Sequence, residues 1–214
     1  MLRIESKVNN LKSVCPGFTT IDITHSSKSK IYNHYGKEFC PMTGNIIVHD
    51  SGNTFHQFDN WWNGNKVYKH LNHAIKKGSK WYTTKHFEKF QNTWAMSKKY
   101  IKPIERKYLF GVYDGEKCNK KDARIMYTVK YYESIQLTGV YTSLLRYYLT
   151  GNNILLIGEN GPDVKLYPNG IDVTMELIEN VHNNIDIPYD PVYVLGLMLL
   201  ESKDPGVNNL CKLI

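Results

Sequence analysis

Apolar and polar positions alternate through "FTTIDITH" (18–25), which predicts a strand, and the polar, turn-rich "SSKSKIYNHYGKEFCPMTG" follows it. "NIIVHD" (45–50) reads as a second strand with "DSGN" as its turn. From Asp59 the period lengthens: Trp61, Gly64, Val67, Tyr68, Leu71, Ala74 and Ile75 fall on one side of a 3.6-residue helix, with Gly78 as a natural stop. Residues 85–115 look like helix interrupted at Pro103 and Gly111. "KKDARIMYTVKYYESIQ" resumes with Ile125, Val129 and Tyr132 at helical spacing, and Tyr141 to Leu149 forms another short helix. "NILLIGENGPDV" is a buried strand running into a turn, and "IDVTMELIENVHNN" and "DPVYVLGLMLLES" close the chain as helices. No repeat or linker interrupts the 214 residues, so the expectation is a single α+β domain, mostly helical, with a few short strands.

Composition changes this picture little. Hydrophobic residues at 42% and aromatics at 13% suffice for a sizeable core. A net charge of +7 favours anionic partners, although a lysine- and asparagine-rich chain is also what an AT-rich genome encodes. The basic stretches "SKKYIKPIERK" and "EKCNKKDAR" fit phosphate steering or simply a solvated face. Cys15, Cys40, Cys118 and Cys211 are scattered, with neither a disulfide framework nor zinc-like spacing, which suits a reducing compartment. The N-terminus lacks a secretory pattern, and "VYVLGLMLL" falls far short of the roughly 20 apolar residues of a membrane span, so a cytoplasmic protein is expected, with no membrane partner.

The face opposite the apolar stripe is chemically unusual: Asp59, Trp62, Asn63, Lys66, His70 and His73. On a helix, Asp59 and Lys66 would stand about 10 Å apart along the axis, close enough to touch one nucleoside-sized group. Trp62 would be placed to stack on a base. Asp59 is equally well explained as an N-cap. His70 and His73 lack a third ligand, so no metal is expected. Glu159 and Asp163 follow the strand "ILLIG" in a turn that holds functional groups or needs none.

With those residues in view, the chain resembles the NADAR family of N-glycosidases. "FDNWWNGNK" follows the family's helical signature, with Asp59 at the acid, Trp61 and Trp62 at the aromatic pair, Asn63 at the glutamine and Lys66 at the lysine. Pro41, "ARIMYTVKYYESI", "ILLIGENGPD" and "VLGLMLLES" follow its further segments, so the likeness covers about residues 38–203. An aspartate stands in place of the family's glutamate, and the family's Ser-Asn-Phe triplet and Trp-Gly step are absent, as in a divergent relative of viral or phage type, which would act in the host cytoplasm. The resemblance implies cleavage of an N-glycosidic bond in a nucleotide-like small molecule, such as a ribosylamino-pyrimidine, or in ADP-ribosylated nucleic acid. It makes Asp59 and Lys66 catalytic and Trp62, Asn63, Glu159 and Asp163 substrate-binding, without a cofactor. The alternative it leaves is a module that binds such a ligand without cleaving it; a basic nucleic-acid-binding protein is a third.

Overall fold

The computed structural model describes residues 1–6, 15–24, 34–42, 46–50, 52–68, 74–77, 80–83, 108–113, 115–162, 167, 169–203 and 213. The strands are β1 (Leu2–Ser6), β2 (Thr19–Asp22), β3 (Val48–Asp50), β4 (Asn53–Phe55), β5 (Lys66–Tyr68), β6 (Ala74–Lys77), β7 (Lys80–Thr83), β8 (Tyr108–Tyr113), β9 (Glu116–Cys118), β10 (Ile154–Gly158) and β11 (Ile171–Asp172). The helices are α1 (His34–Phe39), α2 (Phe58–Gly64), α3 (Lys120–Gln136), α4 (Gly139–Leu149), α5 (Met175–Asn183) and α6 (Pro191–Glu201). The result is an α+β fold with mixed sheets; the strands are short, as the sequence suggests, but more numerous.

The main sheet has the order β11-β1-β10-β2. β10 runs parallel to both neighbours, with Leu2 opposite Ile154 and Ile154 opposite Thr19. Its five residues are all buried, the pattern of a parallel strand covered on both faces. Ile154 and Leu156 join the main core, whereas Leu155 and Ile157 pack with Cys15 and Phe18 on the other side. α6 lies against β1 and β10. It starts at the N-cap Asp190 with Pro191 in the first turn, and Pro191 to Leu199 are all buried, so it is an interior helix, apolar all round. α3 begins at Asn119, whose side chain accepts from the Lys121 and Asp122 amides, and packs against α6.

The expected helix from Asp59 to Ile75 is corrected. α2 ends at Gly64, and Lys66 to Tyr68 form β5, paired antiparallel with β8. Glycine costs a helix interior about 1 kcal/mol, and Asn65 completes the break. Its side-chain amide donates to the Trp61 carbonyl at 2.9 Å, while its own carbonyl accepts the Val112 amide at 2.8 Å. The chain thus passes directly from helix to sheet. Further on, Tyr108 to Tyr113 form the strand β8 rather than the expected helix, and residues 84–107 lie outside the described residues.

Candidate functional site

α2 is fixed by its inward side. Phe58 is fully buried, with ring centroids 4.9 Å from Tyr127 and 5.2 Å from Tyr131. Trp61 is also fully buried, and its indole Nε1 donates to Asp50 Oδ2 of β3 at 2.6 Å. Asp59 is therefore not the N-cap but sits inside the first turn, where the helix dipole favours a carboxylate. Its amide donates to the Pro41 carbonyl at 3.0 Å, which pins the Cys40–Met42 loop to the helix start.

Trp62 does not stand alone in solvent. It stacks on Tyr113 at 5.3 Å and 19°, and meets Tyr127 edge-on at 4.8 Å. Gly111 makes the stack possible, because a Cβ there would come within 2.1 Å of the Tyr113 ring. Lys66, opposite Gly111 in the β5–β8 pairing, places its ammonium 4.4 Å from the centroid of the Trp62 ring system.

These groups border a cleft of about 310 Å³ lined by Asp59, Trp62, Lys66, Tyr127, Glu159 and Asp190, together with Ile23, Tyr189 and the Cys40–Met42 loop. Ile23 directly follows β2, and Glu159 and Asn160 directly follow β10. The cleft thus opens at the carboxyl ends of two parallel strands, where open α/β sheets bind ligands. Asp190 also lines the cleft. Only 4% exposed, it accepts from the Val192 amide at 3.1 Å and from the Asn160 amide at 3.0 Å, joining the β10 turn to the start of α6. Gly158 leaves room for it: a Cβ there would lie 2.5 Å from Asp190 Oδ1. Burial raises the Asp190 pKa, with Glu159 adding to it against the two amide hydrogen bonds. Tyr189 beside it shares a hydrogen bond with Thr128 Oγ1 at 2.9 Å and meets His182 Nδ1 at 3.3 Å; burial pushes its phenol to about 12.

Of the residues singled out from the sequence, Asp59, Trp62, Lys66 and Glu159 share this cleft. The acid and the amine do so from a helix and the strand after it, not from one helix face. The Asn63 side chain, and Asp163, His70 and His73 altogether, lie outside the described residues. Tyr127, Tyr189 and Asp190 escape sequence reasoning as site residues. Asp190 carries a legible signal, an N-cap acid before proline, but that signal speaks only of a helix start. Among the described residues no three histidine, cysteine, aspartate or glutamate side chains are grouped to hold a metal ion, and no helix is long and apolar enough to cross a membrane. Cys15, Cys40 and Cys118 are buried free thiols. Comparison with protein-family models, with curated proteins and with solved structures finds no match for the chain.

Proposed function

We propose that the chain is an N-glycosidase of NADAR type, acting on a ribosyl N-glycosidic bond in a nucleotide-like substrate. One observation carries this reading: a carboxylate and an amine from separate elements, Asp59 and Lys66, border one aromatic-walled cleft with Glu159 on its rim. A volume of about 310 Å³ suits a nucleoside-sized group. Cleavage of the bond builds positive charge on the sugar carbon while the bonding electron pair leaves with the base nitrogen, which takes up a proton. Asp59 is suited to stabilise that charge. Glu159, which also lines the cleft, would pass the proton or activate water. For Lys66 to attack the sugar carbon it must leave the Trp62 ring and give up its proton. Lys66→Ala is expected to abolish release of base from a ribosylamino-pyrimidine or an ADP-ribosylated guanine with the fold intact. Full turnover by this variant would remove the lysine role, and borohydride trapping of an adduct on Lys66 would establish the imine.

The ammonium held 4.4 Å from the Trp62 ring centre also favours a second reading, a module that binds such a ligand without cleaving it, with Lys66 as a fixed charge. Calorimetric binding of ADP-ribose, with no product by mass spectrometry from either substrate, would select it.

A further inference from the structure

Tyrosines in a packed interior usually pair their hydroxyl tips. Around the cleft they do. Tyr113, Tyr131 and Tyr193 donate to the carbonyls of Trp62 at 3.3 Å, Phe39 at 2.6 Å and Asn160 at 3.2 Å, and Tyr189 meets Thr128. Tyr127 departs from this pattern. It is 5% exposed and held by ring contacts, at 4.9 Å to Phe58, 4.8 Å to Trp62 and 5.8 Å to Tyr189. Its hydroxyl makes no hydrogen bond among the described residues, yet its oxygen is not among the polar atoms sealed away without a partner, and the residue lines the cleft, so the oxygen is open to the cleft. Phenylalanine would make the same ring contacts, so packing does not account for the oxygen.

The surroundings narrow what that hydroxyl can meet in the cleft. Burial keeps the phenol protonated, and Asp190 and Asp59 push in the same direction, so it has a proton to donate. The same two acids disfavour an anionic acceptor at this wall. The geometry points to Tyr127 as a ligand-reading residue, its hydroxyl donating to a neutral oxygen or nitrogen on the sugar or base of the bound molecule, with phosphate kept to the Lys66 side. The identity of the ligand rests on the glycosidase reading above; the donor role rests on a cleft-lining hydroxyl that makes no hydrogen bond to the described residues.

The test compares the full chain with Tyr127→Phe, by thermal denaturation without ligand and by calorimetric titration with ADP-ribose, guanosine, ribose 5-phosphate and guanine. The expected result is an unchanged melting temperature with affinity for the nucleoside-bearing probes at least tenfold weaker. A clearly lower melting temperature would show that the hydroxyl has a structural partner, and wild-type affinity in the variant would show that it reads nothing. Either result overturns the inference. If the wild-type chain binds guanine but none of the ribosylated probes, and the variant loses guanine, the glycosidase reading fails while the tyrosine keeps its role. Binding of no probe by the wild-type chain overturns both.

Discussion

Acidification tests the buried polar cluster behind the cleft. His182 is 1% exposed, and its Nδ1 meets Tyr189, which lines the cleft. Burial lowers its pKa to about 4, the nearby Arg124 and Lys121 charges add to that, and a backbone contact from Leu213 opposes it. An unfolded histidine titrates near 6.5. Between these values the unfolded chain binds the proton that the folded chain refuses, so this contribution is complete above about pH 6.5 and is lost as pH falls towards 4. The difference amounts to about 3 kcal/mol at most, of which roughly 2 kcal/mol is lost between pH 7 and pH 5. Chemical denaturation of the wild-type chain and of His182→Phe, repeated across this range, isolates the term. Phenylalanine keeps an aromatic ring beside Tyr189, 5.4 Å away in the wild type, but cannot titrate. The wild-type chain should lose about 2 kcal/mol more than the variant on going from pH 7 to pH 5. Parallel stability curves would refute the reasoning, since they would mean that the buried ring accepts its proton without penalty.

Two glycines give further tests. Gly158→Ala puts a methyl group 2.5 Å from Asp190 Oδ1 and 2.8 Å from both Val192 methyls, so overpacking and a disturbed helix cap should together cost about 2–4 kcal/mol, read as a lower denaturant midpoint with unchanged slope. Gly111→Ala drives a methyl group into the Tyr113 ring, which the Tyr113 hydroxyl bond to Trp62 holds in place; the expected loss is about 1–3 kcal/mol with a changed near-ultraviolet dichroism of the tryptophans, and an unaltered spectrum would mean that Tyr113 does not position Trp62.

What was legible in the sequence follows the range of the forces involved. α3, α4 and α6 carry their own periodicity and caps, so local reading finds them, and the unbroken apolar run of β10 identifies a buried strand. β1 is different: "LRIES" is a weak pattern, and it becomes a central strand only because β10 pairs along its length and β11 along its other edge. The stretch after Gly64 shows the opposite error. Val67 and Tyr68 fit a helical period, yet they are also good strand formers, and pairing with β8 decides between the two. Asp59, Trp62, Lys66 and Glu159 were visible because their chemistry is unusual for their neighbourhood. Tyr127 and Asp190 look ordinary in the sequence, and only the meeting of α3, the β10 turn and the start of α6 puts them in the cleft.

The altered chain path also changes what governs the acid and the amine. On one long helix their separation would be set by helical rise and would be indifferent to the rest of the fold. Here Asp59 is positioned by Phe58, Trp61 and the Pro41 carbonyl, whereas Lys66 is positioned by its place opposite Gly111 in β8 and by the face of Trp62. The two supports meet in Asn65, which holds the last turn of α2 through the Trp61 carbonyl and the β8 strand through Val112. The spacing of the pair is therefore a tertiary property. A shift of β8 would act on the amine through Gly111 and on the acid only through Asn65, so a segment with no side chain in the cleft lining can tune the spacing of the pair.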